Sequence, residues 1–377
     1  MIGRPHFAVA CYHFYPDQVH KQAMNTSQRL PASLTPLDVA LARLLRSLEP
    51  VAASGRAPGA APACAAAGLD ELKAWPPHDV AAVDGWASRA SHLVGASSYT
   101  PLPLMREPVW VEAGDSIPDG CDCVLDEDAV DLAGPIAQVL AEAIPGQGIR
   151  RRGAEIVDTA AIVDAYRPGE LSHAPRLRIV NVPGGEITAK LIAQSLREGG
   201  AEIECVEPES RAAASIAKAL DVSACDLLVT IGGSGVGRTD ATVLALAERG
   251  EVLAHGLALQ PGRTAAVGRI GNTPVIVIPG APDHALAAWW TLGLPALDRL
   301  AGGMRKAASR PLARKIASSV GIAEIALLGE HDGAWTPLAV GDLPLAAVAR
   351  AKAWLLVPGD SEGYAAGTPV NAYLLRE

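Results

Sequence analysis

Residues 226–240 read DLLVTIGGSGVGRTD. Leu227, Leu228, Val229, Thr230 and Ile231 form a short, nearly unbroken apolar run, the pattern of a strand buried on both faces of a parallel sheet. In the turn that follows, Gly232, Gly233, Gly235 and Gly237 lack a Cβ and only Ser234 and Val236 carry one. Glycine reaches positive φ without steric cost, so such a turn can aim successive backbone N–H groups at one small anion. A helical pattern over 241–248 places a helix N-terminus beside the same point. Asp240 stands at that helix entrance, where a plain N-cap is the competing reading.

Outward from this unit, strands and helices alternate. Strands are expected over 178–182, 201–206 and 273–278, and helices over 188–197, 211–220 and 283–292. This spacing predicts a doubly wound α/β sheet, in which ligands bind at the carboxyl ends of the strands. Three of those ends carry special turns, at 183–186 (PGGE), 232–240 and 279–282 (PGAP). Nearer the N-terminus, 33–48 has helical spacing, with Thr35 as candidate N-cap and Pro36 opening the helix. Residues 51–68 are rich in Ala, Gly and Pro, and 75–87 (WPPHDVAAVDGWA) reads as a structured loop. Short strands at 108–111, 122–125 and 136–141 indicate a small β or mixed module. It ends in Arg150-Arg151-Arg152, the one dense basic run. From 306 onward, short β-type runs such as 353–358 and 369–374 predict a small β-barrel.

A chain of 377 residues exceeds one ordinary core. With 49% hydrophobic and 19% charged residues it is not a disordered chain, and a net charge of -9 argues against nucleic acid as a partner. The six cysteines include no CxxC pair, which points to a reducing compartment. No signal-peptide h-region or membrane span is visible, so a cytoplasmic location is expected. The first residues have no clean period, and Met24 is a candidate start. His255 and His284 have no partners at metal-ligand spacing and read as packing or surface residues. Trp289 and Trp290 read as core or dimer contacts.

Several motifs in order resemble the molybdopterin molybdenumtransferase family, the bacterial MoeA proteins and the gephyrin E domain. Residues 76–87 (PPHDVAAVDGWA) are similar to that family's PPFDNSAMDGYA, and 148–156 (GIRRRGAEI) to its NIRRRGEDI. Pro183-Gly184-Gly185-Glu186 resembles TGDE, and 232–240 resembles GGVSVGEAD. Residues 260–264 (QPGRT) resemble KPGKP, and Pro279-Gly280-Ala281-Pro282 resembles LPGNP.

The resemblance implies an elongated homodimer of four domains. Their expected bounds are 33–58 with 153–175 (connecting), 59–152 (the Asp84 module), 176–305 (α/β, molybdopterin-binding) and 306–377 (β-barrel), after an N-terminal extension, 1–32. It implies a cleft between the α/β domain and the Asp84 module of the partner subunit. The implied activity is insertion of molybdate into adenylylated molybdopterin with loss of AMP, assisted by Mg²⁺, within molybdenum cofactor biosynthesis. Asp84, Glu186 and Asp240 are the expected catalytic residues, with Glu186 and Asp240 suited as hard oxygen ligands for Mg²⁺. Gly232, Gly233, Ser234, Gly235 and Gly237 are expected to hold a phosphate. Arg263, Arg150, Arg151 and Arg152 are expected to meet pyrophosphate or molybdate oxygens. Pro279, Gly280 and Pro282 are expected to shape the loop beside the ligand.

The departures remove anion-binding groups. The family's Asn-Ser becomes Val80-Ala81, its Thr becomes Ala113, its lysines become Gly256 and Gln260, its second proline becomes Thr264, and its Asn becomes Ala281. The segment after the family's GDE is shortened to residues 187–190, and an expected aspartate pair is represented by Glu209-Ser210. Each lost charge-assisted hydrogen bond costs about 1.5–3 kcal/mol. A non-catalytic molybdopterin-binding carrier is therefore the second expectation. An unrelated nucleotide-binding protein is the third and weakest, since GxGxxG spacing and a P-loop lysine are missing.

Overall fold

The computed structural model describes residues 28–46, 48–50, 75–104, 108–132, 135–155, 158–169, 171–303 and 305–375. The expected N-terminal extension up to residue 27 and the Ala/Gly/Pro stretch at 51–68 lie outside them.

At the centre, Leu227–Ile231 is buried at every position. It pairs in parallel with Arg176–Asn181 on one side and Thr273–Ile278 on the other. Register places Asn181, Ile231 and Ile278 side by side, so the three special turns leave the sheet at one level. The six-stranded order is Glu202–Val206, Arg176–Asn181, Leu227–Ile231, Thr273–Ile278, Ala266–Ile270, Glu251–His255. The last two strands run antiparallel to their neighbours, so the sheet is mixed rather than wholly parallel.

Alternate residues of the central strand face opposite cores. Leu227, Val229 and Ile231 pack with Leu191, Ile192 and Leu196 of the helix Glu186–Glu198. Leu228 faces Ile216 and the Val243 and Leu246 side chains of the helix Thr242–Arg249. Each such fully buried side chain contributes about 1.5–3 kcal/mol, which fixes the sheet that carries the turns. Trp289 and Trp290 are core residues: their Nε1–H groups donate to Tyr166 O and Ala165 O, both at 2.7 Å, and dock the helix Thr159–Tyr166. That helix was not anticipated. Asp158 caps it, accepting from Ala160 N and Ala161 N.

Several expectations are corrected. The C-terminal strands form a half-barrel sheet rather than a fully closed barrel. Ala323–His331 recruits Leu257–Gln260, which in turn pairs with Thr35–Pro36, and a seven-stranded open sheet results. Between its strands Ala307–Pro311 and Ala334–Val340 runs a single neighbouring bridge, Leu312 to Trp335, and no ladder. Thr35 is therefore a strand residue, not an N-cap, and the helix Leu37–Leu45 starts after Pro36 without a side-chain cap. Within 75–87, expected to be a loop, Val80–Ala81 pairs with Ile149–Arg150, and Gly85–Ser88 is the middle strand of a three-stranded sheet. Cys205 is disulfide-bonded, which the lack of a CxxC pair did not signal. Spacing in sequence carries no record of a bridge between distant cysteines. Among the described residues no helix is long and apolar enough to cross a membrane.

Candidate functional site

The three turns and the β module enclose a cavity of about 390 Å³. The module packs on the α/β sheet of the same chain, whereas the resemblance implied the partner subunit's module. Two contacts at the glycine turn contribute to this closure. Arg238, from the glycine turn, lies over the rings of Trp110 and Trp86, at 4.3 and 5.1 Å from their centroids. The two indoles themselves meet edge to face at 5.0 Å. Glu112 reaches across from the module: its carboxylate accepts from Thr239 N at 2.9 Å and from Thr239 Oγ1. A Cβ on Gly237 would stand 2.7–2.9 Å from the Glu112 carboxylate, so a larger residue there would have to displace this contact.

Positive φ at Gly232 (91°) and Gly233 (65°) bends the glycine turn, a region that side-chain-bearing residues avoid. Thr242 Oγ1 donates to Gly232 O at 2.8 Å, and a Cβ on Gly233 would meet that hydroxyl at 2.4 Å. Gln28 stitches the turn from the far side. Its Nε2 donates to Gly233 O and Gly235 O, and its Oε1 accepts from Val243 N at 2.8 Å. His255 Nε2 donates to Ser234 O at 3.1 Å, and burial lowers the pKa of this ring. Ser234 Oγ lies 3.3 Å from Thr264 Oγ1. Among the described residues the amide N–H groups of Ser234 and Gly235 make no hydrogen bond, and both residues line the cavity with Gly232. Gly233 and Gly237 shape the turn from behind.

The acids are held unequally. Asp240 is not an N-cap: the helix starts from Ala241 with no side-chain cap. Instead Asp240 Oδ2 accepts from Gly237 N at 3.0 Å and Oδ1 accepts from Arg211 Nη2 at 2.9 Å. Burial raises its pKa to about 6, Arg211 offsetting part of the rise and Asp84 and Glu112 adding to it. Asp84 Oδ1 accepts from Ala113 N at 2.8 Å. Its pKa is also raised, first by burial and then by the Glu112 and Asp115 charges. Two carboxylates that hold protons more tightly than usual in one cleft mark a candidate reaction centre. Glu186 lines the cavity too, but its Oε1 accepts from Gly184 N at 2.8 Å, folding back onto the turn that precedes its own helix.

A divalent cation does not fit this arrangement. Both oxygens of Asp240 are engaged, one by a guanidinium, and Glu186 is bent onto its own backbone. Among the described residues no group of three or more His, Cys, Asp or Glu is disposed to hold a metal ion.

The expected basic residues divide. Arg150 lines the cavity but is tied to Asp283, whose side chain is only 3% exposed. Arg151 pairs with Asp79 at 2.8 Å, Arg152 uses its backbone N–H on the same carboxylate, and Arg263 is exposed; none of the three lines the cavity. Pro279, Gly280 and Pro282 line it as expected, and Thr188 Oγ1 donates to Gly280 O at 2.6 Å. Val80, Ala81, Ala113 and Ala281 present apolar walls. Sequence reasoning missed Glu112, Arg211, Gln28 and Arg238, and it read His284, another lining residue, as a packing or surface side chain. Only Arg211 had a signal, standing directly after Glu209-Ser210.

Residues 35–170 match the MoeA N-terminal region (domain I and II), and residues 182–299 match a probable molybdopterin binding domain. The chain belongs to the MoeA family. Molybdopterin molybdenumtransferase 2 of Mycobacterium tuberculosis is 27% identical over 286 residues, 61% of this chain and 70% of that protein. Molybdopterin molybdenumtransferase of Haemophilus influenzae is 28% identical over 273 residues, 60% of this chain and 67% of that protein. A molybdopterin biosynthesis MoeA protein from Pyrococcus horikoshii OT3 aligns in structure over 91% of this chain and 100% of its own, at 22% identity and a TM-score of 0.47. The matched residues carry the β module and most of the mixed α/β sheet.

Proposed function

We propose that the chain acts in molybdenum cofactor biosynthesis as a molybdopterin molybdenumtransferase, inserting molybdate into adenylylated molybdopterin with release of AMP. The observation that carries this reading is the convergence, in one cavity, of unpaired turn amides with the acids Asp84 and Asp240. Release of AMP breaks a bond between two phosphates and develops charge on their oxygens. The Ser234 and Gly235 amides are fixed donors for such charge, held by Gln28 and His255 and therefore needing no rearrangement. Asp240, whose pKa burial raises to about 6, is suited to hold or accept a proton beside them. The homodimer implied by the resemblance belongs to this reading, although the cleft takes both its walls from one chain.

Molybdate-dependent release of AMP from adenylylated molybdopterin is the test. No release above a protein-free control overturns the reading. The apolar walls at Val80, Ala81, Ala113 and Ala281 favour the second reading, a carrier that binds molybdopterin without turnover. Asp240→Asn separates the two. In a transferase it lowers the rate while pterin stays bound, and in a carrier no rate exists to lose.

A further inference from the structure

The cleft of a phosphate-handling protein has to neutralise its ligand, and the groups expected to do so are gone or engaged elsewhere. Gly256 and Gln260 stand where the family has lysines, Arg151 and Arg152 point elsewhere, and Arg150 serves Asp283. A cation nevertheless lies in the cavity wall. Arg211 follows the strand Glu202–Val206 and precedes the helix Ala213–Ala219, at the carboxyl edge of the sheet. It enters where the resemblance called for two aspartates, and the acid kept there, Glu209, is 86% exposed and turned to Lys218.

The contacts of Arg211 are those a metal ion would otherwise make. Its Nη2 is 2.9 Å from Asp240 Oδ1 and 3.6 Å from Glu112 Oε2, bridging carboxylates from both walls of the cleft. These acids are only 10% and 9% exposed, so neither is neutralised by bulk water. Its Nη1 donates to Pro183 O at 3.3 Å, which ties the first special turn to the second. Its Nε is buried and has no partner among the described residues. The side chain as a whole is 34% exposed and lines the cavity, so its guanidinium is within reach of a ligand phosphate.

We propose that Arg211 is a built-in cation of this cleft, replacing a divalent metal between Asp240 and Glu112 and offering its guanidinium charge to a ligand phosphate. The second half of the proposal rests on the reading that the cleft takes a phosphorylated ligand. The first half does not. A guanidinium stays charged at every physiological pH and forks between planar acceptors, so it bridges two carboxylates permanently. A hard cation would need the Asp240 oxygen that Arg211 already holds. Binding of the anionic ligand is therefore independent of divalent metal, unlike the Mg²⁺-assisted chemistry implied by the resemblance.

Two experiments on the full chain test this. Electron paramagnetic resonance of added Mn²⁺ should show no uptake by the wild type. Arg211→Ala or Arg211→Gln should bind Mn²⁺, and a further Asp240→Asn should abolish that binding. Titration calorimetry with inorganic pyrophosphate should give a wild-type affinity that EDTA does not change. Arg211→Ala should weaken it about tenfold or more in EDTA, the loss of one charge-assisted hydrogen bond, and Mg²⁺ should restore it. Arg211→Lys keeps the charge, so its weaker binding should remain insensitive to EDTA. Near-UV circular dichroism confirms that each variant is folded. Mn²⁺ uptake by the wild type that Asp240→Asn removes overturns the proposal. So does the absence of uptake by either neutral variant, or pyrophosphate binding that Arg211→Ala leaves unchanged. A wild type that binds no pyrophosphate under any condition overturns the phosphate contact and the reading beneath it, while the Mn²⁺ arm still decides the first half.

Discussion

Replacing Asp240 by Asn removes one titration whose direction the structure fixes. Burial raises this carboxyl from 3.8 to about 6. The sign follows from linkage. A carboxyl that holds its proton more tightly when folded adds stability that is complete below the unfolded pKa and is lost as pH rises through the folded one. The window is therefore about pH 4 to 6, with the loss complete near pH 7. A shift of two pKa units corresponds to about 3 kcal/mol. Asp240 also exchanges an ion pair with Arg211, so absolute stability is a poor readout of the substitution. The pH slope is a clean one. Asp84, Glu155 and Asp298 are likewise raised, and Asp79, Asp221 and Asp283 are lowered, so the wild-type curve alone mixes several groups. Urea unfolding of wild type and Asp240→Asn, measured in steps from pH 4 to 8, isolates Asp240 in the difference. The wild type should lose about 3 kcal/mol relative to the variant across the interval. Parallel curves, or a wild type that gains stability relative to the variant, would refute the desolvated placement of this acid.

Arg150→Ala leaves Asp283 buried without its cation and should cost about 3 kcal/mol or more in urea unfolding at pH 7. Adding Asp283→Asn should return a large part of that loss, and no cost from the first change would show that the pair is not holding the strand Ile149–Arg150 to the sheet. Because Asp84 and Asp240 meet within one chain, mixing Asp84→Asn with Asp240→Asn should restore no AMP release. Recovery on mixing would place the two acids on different subunits.

The α/β sheet was legible because Leu227–Ile231 and Thr273–Ile278 are buried on both faces and so read as continuous apolar runs. The antiparallel strand Ala266–Ile270 was missed, although Gly271-Asn272, with Gly271 at φ 58°, is a two-residue turn of the kind that joins hairpin strands. Whether the last strands close on themselves depends on which edge finds a partner. Here Ala307–Pro311 and Ala334–Val340 meet through the single Leu312–Trp335 bridge, and alternation along a strand does not encode that choice. At the site, the turn residues were readable because glycine at positive φ leaves a mark in the sequence. Glu112 and Gln28 left none, since their partners are 127 and 205 or more residues away. Asp240 was readable as an acid at a helix entrance, but its choice between capping that helix and pairing with Arg211 is decided by tertiary packing.

The central claim, that a phosphorylated pterin occupies the cleft between the glycine turn and the Asp84 module, is tested most directly by pterin fluorescence. Molybdopterin is titrated with wild-type chain and with Ala281→Trp. Ala281 lines the cavity at φ -68° and ψ 128°, a backbone conformation that accepts any L-residue, so the indole fills the space without straining the turn. The account predicts saturable binding of one pterin per wild-type chain and its loss in a folded Ala281→Trp variant. Equal binding by both chains would contradict it.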